Sequence, residues 1–363
     1  MSRYAYYQVL HGLTRALSPR ACLWLAERFG DAQWRWSSAD RTAVQTNLSL
    51  ITGRAIDPFG PEVREVFRNF GQYLLEFTNA PRPELLHVDV EAGPETQALL
   101  RSGQGAMMLS AHLGNWELGA VALARLGHRT AAVALPHADA RINQWFDERR
   151  ATAGVQVVPL GSRATSRCLN LLREGFLIGI VGDREFGANG VEVSLFGRPA
   201  LIPRGPALLS LRSGAAVIPS LMIRESFGRF RFYLETPIRP PAPASVQAIP
   251  WLSQQYAAVI ERYIRRFPTQ WLMFRVLGEQ LLERGRIQRQ PALSQSRGAA
   301  GPGSHAVRGI APSRPACGLA LGGIPRSSPR HIHEGHHARS ECQRAAAPHD
   351  SPPAALRWAA RLL

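Results

Sequence analysis

The sequence contains no lysine; all 43 of its basic residues are arginine. Only four cysteines occur, without Cys-x-x-Cys spacing, so the sequence indicates neither a disulfide framework nor a zinc site and favours a reducing compartment. No run approaches the roughly 18 apolar residues of a membrane-spanning helix, and no apolar segment leads to a signal-peptide cleavage site. A Gly-x-Ser-x-Gly nucleophile elbow is also missing, which disfavours a serine hydrolase.

Positive charge is in excess and unevenly placed. The 363 residues carry a net charge of +16, of which +8 lies in residues 286–363, where 11 arginines face three carboxylates. A basic body favours anionic partners such as a phospholipid surface, a phosphorylated glycolipid or an acidic carrier protein. Nucleic acid is not an expected partner, since no nucleic-acid module or repeat of basic and aromatic residues is present.

Residues 110–117, Ser-Ala-His-Leu-Gly-Asn-Trp-Glu, form the stretch around which the rest is organised. The apolar run before them predicts a buried strand and the apolar spacing after them predicts a helix, so His112 is expected at a junction that faces a crevice. We predict that His112 is a general base and that Glu117, in the first helical turn, accepts a hydrogen bond from its ring and orients it. The backbone N–H groups of Gly114 and Asn115 are the predicted oxyanion donors.

The spacing of a histidine and an acidic residue carries little weight by itself. With 11 histidines and 27 acidic residues, about one His-x4-acid match is expected by chance. A second match, His336 with Glu341, lies in a polar segment with no strand before it. The predicted strand and helix around His112 are what distinguish the first match.

From residue 105 onward, short apolar strands alternate with amphipathic helices. This alternation predicts an α/β fold with a mainly parallel central sheet flanked by helices and joined by right-handed crossovers. A late pair of alternating segments predicts an antiparallel edge. The predicted strands are 105–109, 131–135, 155–159, 176–181, 221–224 and 229–236, and the predicted helices are 39–53, 61–79, 139–153, 164–174 and 249–266.

A second group of charged residues follows the strand predicted at 176–181. Asp183, Arg184 and Glu185 are expected at the carboxyl edge of the sheet, beside His112 if the two strands are neighbours. Arg198 and Arg204 are expected near the same cleft, where forked guanidinium groups suit phosphate or carboxylate. We predict that these five residues bind substrate.

The string at 110–117 resembles the signature of the bacterial lipid A biosynthesis acyltransferases, the lauroyl and myristoyl type, within the glycerolipid and lysophospholipid acyltransferase superfamily. Phe-Gly-Arg-Pro-Ala at 196–200 and Thr-Gln-Trp at 269–271 resemble the same family, and the resemblance extends over residues 4–277. The family places an arginine near the acyl-acceptor site, for which Arg149 and Arg150 are both candidates. This chain departs from the family at Glu185, where a second Asp is common, and at 274–277, where His-Arg-Arg-Phe is common.

The resemblance implies transfer of a fatty acyl chain from acyl-carrier protein or acyl-CoA to a hydroxyl of a membrane glycolipid, most of all a lipid A precursor. It implies an anionic membrane surface as partner, a place on the cytoplasmic face of the inner membrane, and neither cofactor nor metal. A lysophospholipid, ornithine-lipid or other glycolipid acyltransferase is the alternative enzyme. A membrane-peripheral lipid-binding protein without catalysis is the alternative from another class.

The chain is predicted to divide at about residue 285. Residues 1–285 form the acyltransferase domain, with a helical, membrane-associating part at 1–100 and the α/β catalytic core at 101–285. An aromatic and aliphatic stripe at residues 4–20 is typical either of a helix in the membrane interface or of a core-packing helix. Residues 286–363, rich in Ser, Pro, Gly, Ala and Arg, are expected to be a disordered basic tail.

Overall fold

The computed structural model describes residues 16–78, 86–185 and 190–279, together with the single positions 8, 11, 12 and 281. Most of the aromatic stripe before residue 16 and the whole of the predicted tail, 286–363, lie outside these residues. All described residues belong to one compact unit. None of the helices described is both long enough and apolar enough to cross a membrane.

The strands of the described residues form one large sheet and one small hairpin. Seven strands pair in the order β1-β9-β8-β2-β5-β3-β4, and β6 pairs with β7. Every neighbouring pair in the large sheet is parallel except β8 with β9. The strands are β1 (His87–Ala92), β2 (Ala106–Ser110), β3 (Thr130–Ala134), β4 (Val155–Pro159), β5 (Leu177–Val181), β6 (Val191–Leu195), β7 (Arg198–Ile202), β8 (Val217–Ser226) and β9 (Arg229–Leu234).

Helices precede the sheet, connect its strands and follow it. Those of the described residues are α1 (Pro19–Trp36), α2 (Ser38–Thr52), α3 (Pro61–Thr78), α4 (Pro94–Arg101), α5 (Trp116–Arg125), α6 (Ala140–Thr152), α7 (Ala164–Arg173), α8 (Gly205–Ser213) and α9 (Ile249–Arg266), with short 3-10 turns at Val246–Ala248 and Pro268–Gln270. The predicted mainly parallel α/β sheet is confirmed.

The edge strand of the large sheet differs from the one predicted. We expected the segments at 221–224 and 229–236 to form the edge, but β9 pairs on its other side with β1, a strand we did not predict. The burial pattern of β1 explains the omission, because none of its six residues is fully buried and its sequence lacks an apolar run. The segment predicted at 221–224 also belongs to a longer strand, β8.

The central strands are buried on both faces, as their continuous apolar sequences require. All five residues of β2 are buried. Met107 and Leu109 join one core cluster while Met108 joins the other, so alternate side chains of this strand face opposite layers.

The N-terminal helices pack closely against one another. The carboxylate of Asp31 in α1 accepts hydrogen bonds from Arg64 and Arg68 in α3 at 2.7 and 2.8 Å. Gly71 in α3 lies so near α1 that a Cβ atom there would overlap the carbonyl oxygen of Ala26. The aromatic side chains of α3 are buried, so this helix packs into the core.

Candidate active site

His112 and Asp183 meet at the carboxyl edge of the sheet. β2 and β5 are parallel neighbours with Ser110 opposite Val181, and each of the two side chains follows its strand by two residues. Nδ1 of the imidazole lies 2.8 Å from Oδ1 of Asp183, and the His112 backbone N–H donates to Oδ2 at 3.0 Å. One carboxylate therefore holds both the main chain and the ring of His112.

Asp183 is enclosed by donors. Its side chain has no exposed surface, and Oδ2 also accepts from the indole Nε1 of Trp271 at 2.8 Å. Burial raises the pKa of this carboxyl, but the charge of His112 and the hydrogen bonds from His112 and Trp271 outweigh it, so the pKa lies below its ordinary value of 3.8. An ionised carboxylate can only accept, so Nδ1 of His112 carries the hydrogen and the neutral ring keeps Nε2 as its basic atom.

The structure corrects the predicted role of Glu117. Both of its carboxylate oxygens accept from Arg150, with Nη2–Oε1 at 2.6 Å and Nε–Oε2 at 3.0 Å. Glu117 therefore faces α6, while the ring nitrogen we assigned to it is held by Asp183 from the neighbouring strand. We predicted Asp183 as a substrate-binding residue; the structure shows it as the hydrogen-bond partner of His112.

The loop that carries His112 is held by backbone hydrogen bonds. Gly114 adopts a positive φ of 63°, and a Cβ atom at this position would overlap the carbonyl oxygen of Met222. The Gly114 N–H donates to the Gln270 carbonyl at 3.0 Å and the Asn115 N–H donates to the Met222 carbonyl at 2.9 Å. The two amides that we predicted as oxyanion donors therefore already have acceptors within the protein.

The side chain of Asn115 belongs to a buried polar network rather than to the substrate cleft. Its Nδ2 donates to Glu76 at 3.0 Å, and Glu76 receives both Nε and Nη2 of Arg224 at 2.6 and 2.7 Å. Gln270 joins this network through the backbone of Arg224, accepting at 3.0 Å and donating at 2.8 Å. These contacts are not visible in the sequence, because the partners are far apart along the chain.

A cavity of about 540 Å³ opens beside His112, within the range of about 300 to 1,000 Å³ that is typical of ligand pockets. Polar side chains gather at the sheet edge, where His112, Glu117, Arg150 and Arg184 line it. The remaining wall is mostly apolar and includes Met108, Leu123, Ala132, Ile142, Phe146, Ile180, Leu209, Met222 and Phe232. The arrangement suits a ligand with a long apolar part and a polar reacting end.

The two candidate arginines of α6, Arg149 and Arg150, lie in different environments. Arg150 lines the cavity, whereas Arg149 lies over the ring of Trp145 at 3.3 Å and donates to the carbonyl of that residue. Arg149 does not line the cavity. Of the two, Arg150 is therefore the one at the cavity wall.

The remaining predicted residues occupy different places around the site. Arg184 lines the cavity, and burial together with the charge of Arg275 lowers its pKa to about 10. Arg198 and Arg204 are exposed, and neither is among the cavity-lining residues, although both neighbours of Arg204 are. Glu185 is half-buried and is also outside the cavity lining.

His137 and Cys168 also line the cavity. Burial, with a smaller contribution from Arg150, lowers the pKa of His137. Burial raises the pKa of the Cys168 thiol to about 11, so it is protonated near neutral pH. In the part of the chain that is described, no cluster of three His, Cys, Asp or Glu side chains has the arrangement to hold a metal ion.

Comparison with known proteins places these observations in a family. The model of the bacterial lipid A biosynthesis acyltransferases matches residues 2–277, and the chain belongs to this family. The predicted family is therefore confirmed.

Individual relatives are more distant. Two phosphatidylinositol mannoside acyltransferases of Mycobacterium tuberculosis strains are each 29% identical over 169 residues, which cover 46% of this chain and 52% of the relative. A phosphatidylinositol mannoside acyltransferase of Mycolicibacterium smegmatis is 30% identical over 242 residues, covering 63% of this chain and 77% of the relative. The match thus spans about half the length of the Mycobacterium tuberculosis relatives.

Proposed function

We propose that the protein transfers a fatty acyl chain from an acyl thioester to a hydroxyl group of a membrane glycolipid. The observation that carries this proposal is a histidine, oriented by a buried carboxylate, at the polar end of a largely apolar cavity. Membership of an acyltransferase family and the names of the relatives support the same reaction. The proposed donor is acyl-carrier protein or acyl-CoA.

The reaction begins with proton transfer to His112. Nε2 takes the proton of the acceptor hydroxyl while that oxygen attacks the thioester carbonyl, and Asp183 stabilises the imidazolium through Nδ1. The tetrahedral intermediate then breaks its C–S bond, and the departing sulfur receives the proton from Nε2. No acyl-enzyme is required, and the raised pKa of Cys168 argues against a thiolate nucleophile in the cavity.

Arg184 is the residue we propose for the developing oxyanion. Its guanidinium lines the cavity and directly follows Asp183 in the chain, so a fixed positive charge lies at the same edge as the reacting ring. A preorganised cation of this kind stabilises the negative oxygen of the intermediate without reorganisation. It takes the place of the amides of Gly114 and Asn115, which are engaged elsewhere.

The acceptor is proposed as a glycolipid because the family and the relatives named for phosphatidylinositol mannoside agree at that level. A lipid A precursor is the acceptor suggested by the family description. A phosphatidylinositol mannoside is the second candidate, favoured by the names of the relatives and by the sequence Phe-Arg-Val-Leu at 274–277 in place of His-Arg-Arg-Phe. A membrane location follows from either acceptor and is part of the proposal.

Transfer from a radiolabelled acyl thioester to a panel of both glycolipids tests this function. The wild type is expected to label one acceptor, and His112→Ala is expected to lower the rate by about 10² to 10⁴. A cooperative melting transition above the assay temperature shows that the variant is folded. Label appearing only as free fatty acid would contradict acyl transfer. An unchanged rate in His112→Ala would contradict the mechanism.

A further inference from the structure

Two large apolar side chains are exposed where the cavity opens. Leu135 follows β3 and Leu160 follows β4, and the Leu160 N–H donates to the carbonyl of Ala134 at 2.8 Å, so the two leucines are neighbours at the sheet edge. Both line the cavity, yet they are 48% and 47% exposed. The two leucines extend the apolar lining of the cavity to the protein surface as a small apolar patch.

Exposed arginines adjoin other parts of the same cavity lining. Arg163, which precedes α7, and Arg204, which precedes α8, are exposed, and each adjoins residues that line the cavity. Arg167 lies one turn into α7 and is also exposed. We call Leu135, Leu160, Arg163, Arg167 and Arg204 the rim.

Negative charge near the rim is sparse. Residues 154–173 and 193–213, which contain α7 and α8, include no Asp or Glu. Asp139 lines the same opening, but it is held by Arg141 through contacts of 3.0 and 3.2 Å, so its charge is compensated. The rim therefore combines apolar side chains with net positive charge.

We propose that the rim docks the cavity opening onto an anionic lipid surface, with Leu135 and Leu160 entering the headgroup layer and the arginines contacting lipid phosphates. An acidic protein would complement the arginines alone, whereas a lipid surface complements both the charge and the exposed leucines. The proposal rests on the proposed function in one respect, namely that a membrane lipid enters the cavity through this opening. The test of the proposal measures binding to lipid vesicles and does not depend on acyl transfer.

The test is binding of the full chain to vesicles of phosphatidylglycerol with phosphatidylcholine, compared with phosphatidylcholine alone. Arg163→Gln/Arg204→Gln is expected to weaken binding to the anionic vesicles about 30-fold. The matched control is Arg173→Gln/Arg212→Gln, which changes the exposed arginines at the other ends of the same two helices and leaves the same net charge. The basic residues of 286–363 are present in every variant and cancel from the comparison.

A second pair of variants tests the apolar contact. Leu160→Ser is expected to weaken binding roughly fivefold. The control is Leu126→Ser, which changes an exposed leucine at the end of α5, on the side of the sheet where the parallel strands begin. This control is expected to bind as the wild type does. Melting temperatures confirm that each variant is folded. Should a leucine variant fail to fold, the exposed arginine variants still decide the outcome.

Three results would overturn the proposal. The first is equal binding by rim and control variants. The second is loss of vesicle binding by Trp24→Ser, an exposed residue of α1, with full binding retained by the rim variants. The third is unchanged vesicle binding by Arg163→Gln/Arg204→Gln together with weaker binding to acyl-carrier protein, which would assign the rim to a protein donor. Transfer to a detergent-dispersed glycolipid, measured in parallel, shows separately whether the proposed function fails.

Discussion

At the scale of single residues, two hydrogen-bonded pairs lie at the polar end of the cavity and have different consequences. His112 with Asp183 leaves one ring nitrogen available to accept a proton. Glu117 with Arg150 forms a two-pronged contact whose side chains are 12% and 9% exposed. The first pair prepares a base, and the second fixes a charged group at the wall of the cavity.

The Glu117 and Arg150 pair is expected to act as a unit in stability. Glu117→Gln leaves the Arg150 charge buried with only Asp147 as partner, so the free energy of unfolding should fall by about 3 kcal/mol. In the double variant Glu117→Gln/Arg150→Met the buried charge is gone, and the loss should be smaller than the sum of the two single losses. Urea denaturation measures all four proteins. Additive losses would show that the contact contributes nothing as a pair.

The lowered pKa of Asp183 predicts a specific acid sensitivity. Because the folded pKa lies below the ordinary value of 3.8, the folded state binds fewer protons than the unfolded chain in this range, and stability rises with pH. The contribution of Asp183 is thus complete above about pH 4 and is lost as pH falls through the folded pKa. Urea midpoints from about pH 5 down to about pH 2 should fall less steeply for Asp183→Asn than for the wild type. Parallel curves would contradict the prediction.

At the scale of elements, α3 connects the N-terminal helices to the site. Its Glu76 receives Asn115 and Arg224 within the fold, and its Tyr73 ring stacks on Trp116 with centroids 4.3 Å apart. Trp116 in turn meets the His112 ring edge-on at 4.9 Å. The position of α3 therefore bears on the loop that carries His112.

Close packing of α1 against α3 predicts a cost for one added methyl group. Gly71→Ala would place a Cβ atom against the carbonyl of Ala26, and the resulting shift of the helices should lower the free energy of unfolding by about 1 to 3 kcal/mol. Gly205→Ala is the control, since a Cβ atom at this helical glycine meets nothing within 4 Å. Chemical denaturation of both variants is the measurement. Equal stability of the two variants would show that the helices are not in close contact at Gly71.

The elements of the core could be predicted because their signals are local. The run at 105–109 and the helical spacing after residue 115 sufficed to place His112 at the end of a strand. Its partner could not be found in this way, because Asp183 is 71 residues away and reaches the ring only through the pairing of β2 with β5. Glu117 was the nearest acid in sequence, but proximity along the chain does not determine which way a helical side chain faces.

At the scale of the whole molecule, the cavity is built from distant parts of the chain. Its wall includes Phe70 from α3, Ala132 from β3 and Phe232 from β9. The volume of the cavity therefore cannot be predicted from any single segment. The sequence predicted a crevice at the sheet edge but not the shape of that crevice. The same dispersion means that a change deep in the wall can alter ligand length without touching the polar end.

Filling the cavity is expected to change acyl-chain preference. Ala132 lines the cavity and lies opposite Gly179 in the sheet, so Ala132→Phe adds volume between small neighbours. The kcat/KM ratio for long against short acyl thioesters should fall at least about tenfold, because each lost methylene contact is worth about 1 to 3 kcal/mol. A short-chain thioester is the internal control, as the His112 and Asp183 pair is unchanged. An unaltered ratio would show that the chain binds elsewhere.

The pairing of His112 with Asp183 is tested most directly by single-turnover acyl transfer from a labelled thioester catalysed by Asp183→Asn. The asparagine keeps the size of the side chain but removes the charge that fixes the Nδ1–H form and stabilises the imidazolium. We predict a rate about 10² to 10⁴ below that of the wild type, with the melting temperature showing a folded protein. A rate close to that of the wild type would contradict the assignment of Asp183 as the residue that prepares His112.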